Sequence, residues 1–121
     1  MVVTQDPELV ARLSKMNAAV MGSTSDPFYG APTVIIVFSD SKMGTCVENG
    51  SLVMGNLMNA AHALGVDSCW IHRAKEVFDS EEGKELKKQW GVPEDISAWA
   101  TVFLDTVTVS IQQPNRVKMV L

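Results

Sequence analysis

The chain reads as a single α/β domain of the α+β kind, a small central sheet flanked by helices, and three observations predict it. Thr33 to Phe38 is a continuous β-branched and aromatic run, the pattern of a strand covered on both faces. Apolar residues at helical spacing stand before it, at Leu9, Val10, Leu13, Met16 and Val20, and after it, from Leu52 to Leu64. The chain has 121 residues, 46% hydrophobic and 20% charged, which is one domain's worth of a globular protein. A chain of this size buries roughly two thirds of its unfolded surface, so a sizeable core is available.

Val2 and Val3 read as the remnant of a strand. Asp6-Pro7-Glu8 then opens a helix: Asp6 can accept from the free backbone N–H groups, Pro7 tolerates the first turn, and Glu8 suits the positive end. This helix is expected to end near Gly22. Ser23 to Pro32 is rich in turn formers and leads into the strand Thr33 to Phe38. Asn49 or Ser51 is expected to open a central helix running to about Leu64, with Gly65 as its stop. Leu52, Val53, Met54, Leu57, Met58, Ala60, Ala61 and Leu64 make that helix apolar around most of its circumference, so it should be buried on several sides. Ser68 to Ile71 reads as a short strand. Ser80, followed by Glu81 and Glu82, caps a helix that ends at Trp90, closed by Gly91 and Pro93. Thr101 to Ile111 alternates well enough to be a strand or hairpin.

A formal net charge of −4 gives no general attraction to phosphate backbones, so nucleic acid is not expected as a partner. No apolar run approaches the roughly 20 residues that span a bilayer, and no membrane partner is expected. VVTQDPE after Met1 lacks the basic and apolar regions of a secretory signal. Cys46, placed in a polar loop, and Cys69, placed in a strand, make neither a CxxC pair nor a disulfide framework; free thiols and a cytoplasmic location are expected.

The residue types alone point to little chemistry. His62 and His72 fall on different elements with no carboxylate or cysteine at ligand spacing, so no metal site is expected. GSLVMGN, Gly50 to Asn56, lacks the Lys-Ser/Thr of a P-loop and the spacing of a dinucleotide turn, and its glycines read as close helix packing. Cys46 reads as an ordinary exposed thiol. Glu81, Glu82, Lys84, Glu85, Lys87 and Lys88 read as a solvated helix face.

A longer pattern carries more. Glu48 to Arg73 reads ENGSLVMGNLMNAAHALGVDSCWIHR and is followed by AKEVFDSEEGKELKKQWGVP; DPFYGAPTVIIVFSD and VVTQDPELVARLSKMN precede it. From about Val2 to Ile96 the chain resembles the FMN-dependent nitroreductase family. The resemblance implies a homodimeric flavin enzyme in which FMN takes hydride from NAD(P)H and passes electrons to a small-molecule acceptor, nitroaromatic or quinone-type, in ping-pong fashion. The protein's part is then to bind, orient and tune the ring. By resemblance Ser68, Cys69, Trp70 and Ile71 form the strand end whose backbone lies against the flavin, with His72 and Arg73 at its rim. By residue type alone Cys69 and Trp70 are core residues, and Arg73 faces either a phosphate or, preferably, solvent. The family's dimer interface holds the central helix, which would account for Met54, Leu57 and Met58.

The resemblance also implies gaps. The family's Arg-Ser motif and its Asn-Gln-Pro-Trp-like stretch would lie before Met1, leaving half of the flavin cradle absent from this sequence. After Ile96, where the family carries a Gly-Val-Gly-Asn-Cys-Ile-Leu-Gly-Tyr stretch and a basic Lys-Pro-Arg-Lys segment, the chain reads SAWATVFLDTVTVSIQQPNRVKMVL. A one-base slip is our hypothesis for this: codons exist for Ala98 to Leu121 that restore the family's tail when read one base earlier. Coding DNA whose codons cannot yield that tail would remove it. The alternative function is therefore a shortened relative without flavin binding, acting as a non-catalytic structural or interaction domain.

Overall fold

The computed structural model describes residues 1–105. The elements run β1 (Val2–Thr4), α1 (Pro7–Met21), β2 (Thr33–Asp40), α2 (Cys46–Ala63), β3 (Asp67–Ile71), α3 (Ala74–Asp79), α4 (Glu81–Gln89) and β4 (Ile96–Asp105). The four strands form one antiparallel sheet in the order β1-β2-β4-β3. No helix among the described residues is long and apolar enough to cross a membrane.

The continuous apolar run of β2 has the expected cause. Val34 and Ile36 face a cluster built with Leu13 of α1, Ala74, Val77 and Phe78 of α3, and Leu86 of α4. Ile35 and Val37 face the opposite cluster, with Met54 and Leu57 of α2. A strand that alternates between two buried faces needs an apolar residue at every position.

The helix ends follow their caps. Asp6 Oδ1 accepts from the Glu8 N–H at 3.0 Å, and Gly22 closes α1 in the left-handed region at φ 69°. Ser80 Oγ accepts from the Gly83 N–H at 3.1 Å. The central helix opens earlier than expected, at Cys46 after Thr45, neither Asn49 nor Ser51 being its start. Cys46 is thus half-buried in a helical turn and not an exposed loop thiol. The short helix α3 was not legible before α4; six residues give too little periodicity. The last strand begins at Ile96, five residues before the alternation, and residues 106 to 111 of the expected strand lie outside the described residues.

A bulge explains the early start. Val37 pairs with Ala100 and Phe38 with Ala98, so Trp99 has no partner. Ala98 and Ala100 consequently fall in opposite clusters although they are two residues apart. Trp99 is turned toward α2, where its indole Nε1 donates to the Cys46 carbonyl and its ring packs on Gly50. Close packing at Gly50 was expected; Gly55 has no atom within 4 Å of where a Cβ would stand.

Two expectations about side chains need correction. The central helix buries one face only: Gly50, Met54, Leu57 and Ala61 are buried, while Leu52 is 68% exposed. Met54 and Leu57 are buried against the chain's own sheet, with Met58 partly buried beside them. On α4, Lys87 is not solvated but buried, its Nζ donating to the carbonyls of Glu94, at 3.3 Å, and Ile96. Five methylene-linked atoms of reach let it fix the turn into β4 from inside.

Candidate functional site

The predicted site residues gather on β3 and the turn that follows it. β3 pairs with β4 alone, from Asp67 opposite Asp105 to Ile71 opposite Thr101. Its other side carries no strand among the described residues, so alternate backbone N–H and C=O groups of this edge point outward. Cys69 and Ile71 pack toward the cluster of α1, α3 and α4, and Trp70 toward the α2 cluster. Ser68, Cys69 and Trp70 are half-buried and Ile71 is buried. The Cys69 Sγ–H lies 3.7 Å from the Trp70 carbonyl, a weak local hydrogen bond. Core packing of Cys69 and Trp70 therefore coexists with an open backbone edge.

Trp70 carries an unusual feature. Its indole Nε1 is buried and has no hydrogen-bond partner among the described residues. A donor left in that state costs about 1–3 kcal/mol. The ring lies 5.9 Å, centroid to centroid, from that of the exposed His72.

The turn after β3 holds one of the two left-handed residues other than glycine among the described residues. Arg73 adopts φ 74°, ψ 10°, the left-handed region that costs a residue with a side chain roughly 1–2 kcal/mol. Asn17, on the buried face of α1 and 2% exposed, holds this turn from beneath. Its Nδ2 donates to the His72 carbonyl at 2.8 Å, and its Oδ1 accepts from Arg73 Nε at 2.9 Å. Arg73 is accordingly half-buried and tethered through its Nε. Its two terminal guanidinium nitrogens make no hydrogen bond or ion pair among the described residues. Asn17 was missed in the sequence although a signal existed. It stands four residues after Leu13, a polar side chain on the apolar stripe of α1.

A groove of about 830 Å³ lies between α1 and the Ser23–Pro32 loop, away from β3, lined by Val10, Ser14, Lys15, Ala18, Asp26 and Phe28 among others. Asp26 organises its wall. It accepts from the Ser14 hydroxyl at 2.6 Å and from the backbone N–H groups of Phe28 and Gly30 at 2.9 and 2.7 Å. Burial alone would raise this carboxyl, but the three hydrogen bonds outweigh it and hold the group below its ordinary value. These bonds occupy the carboxylate with the chain itself, so its role is to shape the loop. Tyr29, left-handed at φ 54° and 74% exposed, leaves the loop to set its ring 5.8 Å from that of Phe103.

The remaining candidates stay apart. His62 and His72 are exposed on different elements, and no group of three or more His, Cys, Asp or Glu among the described residues could hold a metal ion. Glu81 and Lys84 form an exposed ion pair at 2.9 Å, worth little to stability.

Comparison with known proteins bears on the same segment. The nitroreductase family model matches residues 2–102, which includes β3, its turn and most of β4, and so runs on past Ile96. No curated protein sequence matches the chain. Among solved structures, a nitroreductase with bound FMN from Bacteroides fragilis superposes with a TM-score of 0.76 at 23% identity, covering 96% of this chain and 70% of that one. A nitroreductase with bound FMN from Desulfitobacterium hafniense gives 0.74 at 22% identity, over 98% and 70%. An FMN-dependent nitroreductase from Clostridium difficile gives 0.68 at 22% identity, over 94% and 66%. At these identities the likeness establishes the fold.

Proposed function

The chain belongs to the nitroreductase family, and from that premise we propose that it is an FMN-dependent oxidoreductase that uses NAD(P)H to reduce nitroaromatic or quinone-type acceptors. The observation that carries the proposal is that the family match runs through a strand whose outer side is unpaired among the described residues and whose following turn is strained. Strained backbone held by its surroundings is a mark of functional sites.

The residues present fit a planar ring with polar atoms along its rim. Ser68 to Ile71 would offer the outward N–H and C=O groups of β3 to the ring edge, as the family resemblance implies. Arg73 would offer its backbone N–H, and its terminal guanidinium nitrogens remain available for an anionic group. An FMN phosphate carries about two charges, and burying it without such a partner costs several kcal/mol. When bound, FMN supplies the hydride-accepting chemistry. The chain's own task is to hold and orient the ring and to limit water beside it; no described side chain is needed as an acid or base.

We also propose a cytoplasmic homodimer. Exposed apolar residues on α2 support the second part: Leu52 stands opposite the buried stripe beside the open Gly55, and Val47, Val53 and Leu64 are exposed along the flanks of that stripe.

The test is a visible spectrum of the purified chain before and after adding excess FMN and desalting. Retained flavin that bleaches on adding NAD(P)H supports the enzyme. A colourless protein refutes flavin binding and leaves a non-catalytic structural or interaction domain.

A further inference from the structure

We propose that Asn17 is a positioning residue for the cofactor strand: it fixes the direction of the His72–Arg73 peptide and holds Arg73 in its left-handed conformation. The proposal rests on the flavin reading for its functional consequence, but its structural content stands on the geometry alone. The peptide bond is planar and trans, so its C=O and N–H point in opposite directions. Asn17 Nδ2 draws the His72 carbonyl toward α1 at 2.8 Å. The Arg73 N–H is thereby aimed away from α1, and it has no hydrogen-bond partner among the described residues. A backbone donor pointing away from the packed helix at the end of an edge strand is placed to meet an acceptor atom of a ligand lying along that edge.

The same amide does a second job. Its Oδ1 accepts from Arg73 Nε at 2.9 Å, which anchors the side chain of the residue that bears the backbone cost. Asn17 is 2% exposed, and each of these two atoms has a partner in this one turn. Alanine cannot replace either bond, and the left-handed turn would then compete with ordinary backbone conformations. Only glycine adopts this region without penalty. Arg73 and Asn17 should therefore be energetically coupled, and the coupling should vanish when residue 73 is glycine.

The experiment is a double-mutant cycle with FMN as the probe, read by flavin fluorescence, together with a measurement on the free protein. Asn17→Ala should weaken FMN roughly tenfold, the factor that corresponds to the cost of a left-handed residue with a side chain. In the Arg73→Gly background the same substitution should weaken FMN by less than about threefold. Equal losses in both backgrounds, or no loss with Arg73 present, would overturn the proposal. In the free protein, the strong intraresidue N–H to Hα NOE of a left-handed Arg73 should be lost in Asn17→Ala. Its persistence would overturn the proposal whether or not FMN binds. Wild-type protein that binds no FMN sinks the flavin reading, and the NOE then decides the role of Asn17 separately.

Discussion

Three helical glycines offer a test in which the sign of the effect is set by the surroundings. Replacing glycine by alanine in a helix interior gains about 0.5–1 kcal/mol, because the unfolded chain loses freedom. Overpacking costs about 1–3 kcal/mol, and more when nothing can move. At Gly55 a methyl meets no atom within 4 Å, so the gain stands alone. At Gly50 the methyl would lie 2.9 Å from Trp99 Cγ and nearer still to Cδ1. The ring could swing aside only by releasing the Cys46 carbonyl, so the two effects should leave a net loss of about 1 kcal/mol. At Gly83 the methyl would lie 2.5 Å from Phe78 Cα and 2.9 Å from Val77 C. Those atoms are backbone of α3 and must move by roughly an ångström to reach ordinary contact, which puts the net loss at about 2–3 kcal/mol. Urea denaturation followed by circular dichroism should therefore rank Gly55→Ala above wild type, then Gly50→Ala, then Gly83→Ala. The extremes should differ by about 3 kcal/mol, or more than about 10 °C in Tm for a domain of this size. Gly83→Ala as stable as wild type, or Gly55→Ala less stable at concentrations where the chain is monomeric, would refute the packing argument.

Other positions give independent outcomes. Lys87→Met keeps the buried stem but leaves the Glu94 and Ile96 carbonyls without their donor, and should cost about 2 kcal/mol in urea unfolding; exposed Lys88→Met should cost nearly nothing, and equal effects would count against a buried role for Lys87. The Asp26 carboxyl lies below its ordinary value of 3.8 in the folded chain, so its contribution is complete above the unfolded value and is lost as pH falls through the folded one. Asp26→Asn should be less stable than wild type at neutral pH and the difference should close in acid; a constant gap down to about pH 2 would contradict the assignment. Leu52→Glu puts a charge on the outer face of α2 and should shift the chain toward monomer in sedimentation without loss of helix; unchanged association would remove that face as the interface.

The fold was legible where local chemistry decides it. Asp6-Pro7-Glu8 and Ser80 fix two helix starts because the first turn needs acceptors for its free N–H groups, and both caps form as read. The β2 run was legible because a strand sandwiched between two clusters leaves no polar position. What failed was set at a distance. Lys87 carries the charge of a solvated residue, and only the fold of the 94–96 turn over α4 supplies the carbonyls that bury it. Met54 and Leu57 look like interface residues on a helix that is apolar all round; only the sheet beneath them shows which side is taken.

The site shows the same division more sharply. Ser68, Cys69, Trp70 and Ile71 could be named from a family pattern, yet their sequence does not alternate and gives no sign that β3 is an edge strand among the described residues. Edge status follows from β4, which enters between β2 and β3 and so becomes one of the sheet's two inner strands. β4 begins at the end of the segment that carries the resemblance, but the strand asks only for buried residues of the right size: Ala98 and Phe103 supply them to one cluster, Ala100 and Val102 to the other, the Trp99 bulge having changed the phase. The family match accordingly runs on through most of β4, to residue 102. Arg73 is the converse case. Its residue type suggests a free surface cation, and its left-handed backbone becomes affordable only because Asn17, 56 positions earlier, ties both the preceding carbonyl and the guanidinium. A substitution at Asn17 would therefore act on the turn that follows β3 through two direct hydrogen bonds, without altering any residue of that turn.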